Sequence, residues 1–122
     1  MNWSNKKVLI AEDERTNFLL LAEYLEITGI QIFHAANGLE VLEILKDTTP
    51  DVILLDMKMP EISGFEIITR LRNANINIPI IAQTAFTMEG DRERIMLAGC
   101  NDYIAKPIEE DILLEKMGQF LN

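Results

Sequence analysis

The sequence predicts an α/β domain: a doubly wound, five-stranded parallel sheet in the order 2-1-3-4-5, with five helices on its two faces. Three observations carry this. Short apolar runs alternate five times with segments of helical periodicity along 122 residues, the pattern of strands joined by crossover helices. The run Asp51-Val52-Ile53-Leu54-Leu55 is apolar at every position after its first, which suits a central strand covered on both sides. Right-handed crossovers limit the arrangements open to such a chain, and 2-1-3-4-5 is one of the common doubly wound solutions.

The elements follow in order. Lys7-Val8-Leu9-Ile10-Ala11 reads as a short buried strand that breaks into Glu12-Asp13-Glu14. Phe18, Leu21, Ala22 and Leu25 fall at i, i+3, i+4 and i+7, a helix that Gly29 stops. Gln31-Ile32-Phe33-His34-Ala35 is a second strand, and Asn37-Gly38 a turn or helix entry before Leu39, Leu42 and Leu45. Pro50 resets the chain before the central strand, which ends at Asp56. Ile67, Ile68 and Leu71 mark a third helix, and Ile78-Pro79-Ile80-Ile81-Ala82 a fourth strand. A fourth helix runs from about Met88 to Ala98 with Gly99 beyond it, and Asp102-Tyr103-Ile104-Ala105 is the fifth strand. Leu113, Met117, Phe120 and Leu121 line the last helix. The reading is one domain over residues 1–122, with 1–6 a polar lead-in and 7–121 the folded core.

Composition narrows the function. The chain carries 11 basic and 20 acidic residues, a formal net charge of −9, which argues against direct contact with nucleic acid. No apolar run approaches the roughly 20 residues that cross a bilayer, and no apolar stretch precedes the first strand as a signal peptide would. One cysteine, Cys100, excludes an internal disulfide, fits a reducing compartment and reads as a small residue near a helix end. A cytoplasmic location is therefore expected.

In doubly wound sheets, ligands sit outside the carboxyl ends of the strands, near the point where the strand order reverses. The first strand ends at Glu12-Asp13, the third at Asp56, the fourth near Thr84 and the fifth at Lys106-Pro107. The predicted order brings Glu12, Asp13 and Asp56 to one rim, with Thr84 and Lys106 on the far side of Asp56. Two unit charges 4 Å apart repel by about 4 kcal/mol at an effective dielectric of roughly 20, so a stability role alone does not account for such a cluster. A hard divalent cation such as Mg²⁺ does. A carboxylate can also take a phosphoryl group, with the metal, Lys106 and the Thr84 hydroxyl neutralising its oxygens. Asp56, on the most buried strand, is the best placed nucleophile. Taken singly, each residue has an ordinary reading: helix caps for the acids, a loop hydroxyl for Thr84, a solvated charge for Lys106, plain core for Tyr103.

These residues resemble the receiver domain of response regulators over nearly the whole chain. Val8-Leu9-Ile10-Ala11-Glu12-Asp13-Glu14 is similar to that family's first strand and acidic pair, and Asp56-Met57-Lys58-Met59-Pro60 with Gly64 to its phosphoacceptor loop. Ala82-Gln83-Thr84-Ala85 resembles the switch-threonine segment, and Asp102-Tyr103-Ile104-Ala105-Lys106-Pro107 the end bearing the switch aromatic and lysine. The resemblance implies a flavodoxin-like three-layer sandwich and a phosphorelay role. Asp56 would accept phosphate from the phosphohistidine of a histidine kinase or histidine phosphotransfer domain. Asp13, Asp56 and the Lys58 carbonyl would hold Mg²⁺, with Glu12 acting mostly through water. Lys106 would hold the phosphoryl group, Thr84 and Tyr103 would switch, and a cis bond would precede Pro107. The fourth helix and fifth strand would be the element that moves. The face of the fourth helix, fifth strand and fifth helix is then a candidate for dimerisation.

Lys58 and Phe86 lie two residues past the acceptor and the threonine, where the family varies and phosphoryl lifetime is tuned. Phe86 reads equally as a screen against water or as surface packing. His34 reads as a strand-end residue away from the acidic rim, not a phosphodonor. Trp3-Ser4 resembles what precedes receivers fused behind sensor kinases, which favours a receiver from a hybrid histidine kinase over a single-domain regulator. Three competing classes remain. A phosphatase with an aspartate nucleophile would place a second Asp at position 58, where Lys58 stands. A flavin carrier would not put Glu12-Asp13-Glu14 in its phosphate loop. The third is a receiver that binds partners without phosphorylation, against which the intact acid set argues.

Overall fold

The computed structural model describes residues 1–85 and 90–122. The elements run β1 (Lys7–Ala11), α1 (Arg15–Glu26), β2 (Gln31–Ala35), α2 (Gly38–Asp47), β3 (Val52–Asp56), α3 (Gly64–Asn73), β4 (Ile80–Thr84), α4 (Asp91–Ala98), β5 (Asp102–Ala105) and α5 (Glu110–Leu121). Every neighbouring pair of strands is parallel and the order is β2-β1-β3-β4-β5, the predicted doubly wound topology. Among the described residues, no helix is long and apolar enough to cross a membrane.

Strand alternation sorts the core into two layers. Val8 and Ile10, Val52 and Leu54, Ile81 and Ile104 face α1 and α5, where they meet Leu21, Leu25, Leu113, Met117 and Leu121. Leu9, Ala11, Ile53, Leu55, Ile80 and Ala82 face the other way, against Val41 of α2, Ile67, Ile68 and Leu71 of α3, and Ile95 of α4. All five residues of β3 are buried, as a central strand requires. Polar side chains cap the entries of α2 and α3: Asn37 Oδ1 accepts from Glu40 N at 2.9 Å, and Ser63 Oγ from Glu66 N at 3.3 Å.

Two boundaries differ from the sequence reading. β4 starts at Ile80, because Pro79 has no N–H to give; its carbonyl instead accepts from Ile53 N at 2.9 Å. α4 starts at Asp91, after Gly90 with φ 86°; Met88, the expected first residue, lies outside the described residues, as does Phe86.

The lead-in also differs. Trp3 is 2% exposed and belongs to the α1–α5 core layer. Its backbone N donates to Thr28 O at 2.8 Å and its Nε1 to Asn122 Oδ1 at 2.8 Å, tying the two ends of the chain to one another. The packed core therefore reaches back to Trp3, and the indole serves the domain itself.

On the opposite layer, Arg72 fastens the far ends of α3 and α4. Its guanidinium donates to Gly99 O, Ile76 O, Ile78 O and Asn101 Oδ1 at 2.8–3.0 Å.

Candidate functional site

The alternation that builds the α1–α5 layer continues past its apolar residues. Two residues beyond Ile10 stands Glu12, beyond Leu54 Asp56, beyond Ile81 Gln83 and beyond Ile104 Lys106, so all four leave the sheet on the α1–α5 side. Asp56 and Gln83 are direct register partners. Carboxylate oxygens of Glu12, Asp13 and Asp56 all lie within 4.8 Å of one another. Lys106 Nζ stands 3.1 Å from Asp56 Oδ2 and 3.4 Å from Glu12 Oε1. The predicted meeting of acids from two strand ends, facing a lysine, is therefore present.

The three acids sit in different surroundings. Glu12 is fully buried, Asp56 is 4% exposed and Asp13 is exposed. Glu12 is the most heavily bonded: Oε1 accepts from Asn17 Nδ2 and Lys106 Nζ, and Oε2 from Glu14 N at 3.2 Å. Burial pushes the Glu12 carboxyl above its ordinary range; the Asn17 hydrogen bond opposes this and the Asp56 charge adds to it. Burial alone would lower the Lys106 ammonium, but Asp56 and then Glu12 outweigh it and hold that group above its ordinary value.

Asp56 Oδ1 accepts from the backbone N of Lys58 at 3.0 Å, which turns the loop after β3 back over the carboxylate. The Lys58 side chain itself is exposed. The start of α3 presses on the same loop: a Cβ on Gly64 would stand 2.7 Å from both Met57 Cα and Met57 Sδ, and 3.1 Å from Asp56 O. Only glycine fits there without moving the acidic loop.

Thr84 and Tyr103 lie on the other side. Register pairs Ala82 with Tyr103 and Thr84 with Ala105, so both side chains leave toward α3 and α4. Thr84 is half-buried, and its carbonyl accepts from Lys106 N at 2.8 Å. Tyr103 is half-buried between two cations, the Arg92 guanidinium 5.2 Å and the Lys116 ammonium 5.0 Å from its ring centre. The Lys106–Pro107 bond is cis. A cleft of about 260 Å³ opens beside Asp56, lined by Lys58, Phe65, Thr84, Arg94 and Lys106 among others.

His34 stands closer to the site than its sequence position indicates. Its Nε2 is 2.9 Å from the Glu12 carbonyl and its ring stacks on Phe18, centroids 3.8 Å apart. The parallel register explains this, since β2 runs alongside β1 and ends beside it. Two further residues escaped the sequence reading. Asn17, on the first turns of α1, joins Glu12 to Gln83, whose Oε1 accepts from Asn17 Nδ2 at 3.4 Å. Gln83 was detectable as an amide directly after the apolar run Ile80-Ile81-Ala82 of β4.

Three carboxylates against one ammonium leave a net negative pocket whose donors are all hard oxygens, the set that a small divalent cation prefers. A carboxylate held between that pocket and a lysine is electrostatically prepared to meet a phosphoryl group.

Known proteins agree with this geometry. Residues 8–118 match the family model of the response regulator receiver domain. The chain is 40% identical over 118 residues to the polar-differentiation response regulator DivK of Brucella anthropi, covering 95% of this chain and 96% of that one. Its fold is similar to the receiver domain of the sensor histidine kinase PA1611 of Pseudomonas aeruginosa, solved with a magnesium ion in its active-site cleft (TM-score 0.86, 29% identity, 95% of this chain and 97% of that one). It is similar also to a chain in the co-crystal of the Saccharomyces cerevisiae histidine phosphotransfer protein Ypd1 with the receiver domain of Ssk1 (TM-score 0.88, 29% identity, 95% and 88%). With the strand order, the acidic rim and the facing lysine already in place, the match over nearly its full length means that the chain belongs to the response regulator receiver family of two-component signalling.

Proposed function

We propose that Asp56 accepts a phosphoryl group from the phosphohistidine of a histidine kinase or histidine phosphotransfer domain, and that the domain relays the event through α4 and β5. The observation that carries this reading is the approach of Glu12, Asp13 and Asp56 within 4.8 Å, with the Lys106 ammonium 3.1 Å from Asp56. An Asp56 carboxylate oxygen forms the new bond to phosphorus as the phosphorus–nitrogen bond of the donor breaks, its electron pair staying on the imidazole. Asp13, Asp56 and the Lys58 carbonyl are the groups that would hold Mg²⁺, with Glu12 acting through water. The bound cation would neutralise charge on the phosphoryl oxygens. Lys106, already beside Asp56, turns to the arriving phosphoryl group. Thr84 donates its hydroxyl to another oxygen, and Tyr103, on the same side of the sheet, follows into the space this leaves. The face of α4, β5 and α5 is the surface we assign to output and self-association. The domain of a complex formed by Ypd1 supports the donor class, and the magnesium of the PA1611 receiver supports the cation.

Incubation with acetyl phosphate and MgCl₂ is expected to raise the intact mass by one phosphoryl group, and Asp56→Asn to abolish the rise. Equal labelling of the variant would move the acceptor elsewhere, and no labelling of the wild type with Mg²⁺ present would overturn the reading.

A further inference from the structure

Beside the acidic rim lies a pair of amides, Gln83 buried and Asn17 half-buried, that the phosphoryl chemistry does not itself use. Gln83 is fully buried on β4, directly across from Asp56 in register. Its Oε1 is taken by Asn17 Nδ2, while its Nε2 has no hydrogen-bond partner among the described residues. A buried amide donor left unpaired is destabilising, and a leucine or methionine would fill the space without that cost. The Asn17 amide nitrogen meanwhile spans two acceptors, Glu12 Oε1 and Gln83 Oε1, so it ties β4 to the end of β1 across β3. Glu12 is thus held by a side chain of α1 that is itself held by a side chain of β4.

Building on the reading of Glu12, Asp13 and Asp56 as a cation site, we propose that Asn17 and Gln83 are positioning residues for Mg²⁺, acting through Glu12. The Asn17 bridge fixes the Glu12 carboxylate so that it faces the cation's water shell. The Gln83 amide keeps Asn17 in that orientation. Outer groups that orient metal ligands typically alter metal affinity about 10- to 100-fold when removed.

The test is titration of the whole domain with MgCl₂ by calorimetry, alongside thermal melts without the ion. Gln83→Leu is expected to weaken Mg²⁺ binding roughly tenfold while leaving the metal-free melting temperature unchanged or higher, a split that loss of mere packing would not give. Asn17→Ala should weaken binding by a similar factor. In a Glu12→Gln background, either substitution should add less than about twofold, because the residue through which they act is gone. Wild-type affinity in both single variants, or an undiminished tenfold loss in the Glu12→Gln background, overturns the positioning role while leaving the cation site standing. A wild type that takes up no Mg²⁺, with heats unaffected by Asp13→Asn, overturns the cation reading and this proposal with it.

Discussion

On the α1–α5 side of the sheet, β1, α1, β4 and β5 converge on a single buried carboxylate: Glu12 is bonded by Asn17, Glu14 and Lys106, and through Asn17 it reaches Gln83. The helices beneath it are well seated, with Leu21 and Leu25 of α1 and Leu113, Met117 and Leu121 of α5 all buried. On the α3–α4 side, α4 has eight residues and buries only Ile95 fully. Its N-cap is Gly90, with no side-chain cap among the described residues, where an added Cβ would meet none of the described atoms within 4 Å. Its other end is pinned, by Arg72 to Gly99 and by buried Cys100. Stability in proteins is uneven, and elements that move are drawn from the weakly held parts. Glu12, Asp56 and Lys106 are thus mounted on the firmly built side, while Thr84 and Tyr103, on the other, face a short helix whose far end is fixed.

Removing the pin should have the largest effect. Arg72→Ala deletes a half-buried guanidinium and leaves the Gly99, Ile76 and Ile78 carbonyls and Asn101 Oδ1 without it. We expect a loss of about 3 kcal/mol, or a fall in melting temperature of roughly 10 °C. Mg²⁺ affinity should stay within about twofold of wild type, since the acidic rim is built on the other face. A melt unchanged by the substitution would show that α4 is anchored by something else.

The next test acts on the rim. Lys106→Ala leaves buried Glu12 and Asp56 facing one another with no ammonium between them. Breaking a fully buried pair costs about 3–5 kcal/mol, and because Lys106 is 25% exposed we expect about 2 kcal/mol in metal-free buffer at neutral pH. Added MgCl₂ should recover most of that loss, because a divalent ion supplies the missing positive charge. Urea midpoints with and without MgCl₂ measure both. A variant as stable as wild type in chelator would mean that the carboxylates do not depend on Lys106.

The same contrast explains what the sequence disclosed. Strand alternation and the apolar run of β3 set the topology, and the strand ends named Glu12, Asp13, Asp56, Thr84 and Lys106, because ligand sites in such sheets are fixed by where strands stop. Residues that act across elements were harder to see. Asn17 lies on a helix face that reads as solvent in one dimension, and only the docking of α1 brings it to Glu12 and Gln83. His34 reached the Glu12 backbone through parallel pairing that sequence distance hides. Trp3, amid polar residues, did carry a signal: an isolated indole near a terminus is more economically placed in a core than in a linker. Arg72 gave none, since a single arginine in a helix's last turn usually serves the helix dipole.

The smallest expected effect reads the pinned end of α4 through pH. Cys100 lies at the α4–β5 junction, 7% exposed, with Sγ 3.2 Å from Ile95 O. Burial pushes its thiol from the ordinary 9.0 up to about 11. Between those values the unfolded chain releases the proton while the folded chain keeps it, so this group's contribution to stability falls as pH rises through the window and levels off above about 11. Wild type should therefore lose roughly 1 kcal/mol more than Cys100→Ala between pH 8 and pH 10, read from urea midpoints, the difference removing titrations common to both. Thiol reagents should also react slowly with the native protein at pH 8, because little thiolate forms. Parallel pH profiles for the two proteins, or labelling at the rate of a free thiol, would mean that this end of α4 opens readily and is not pinned.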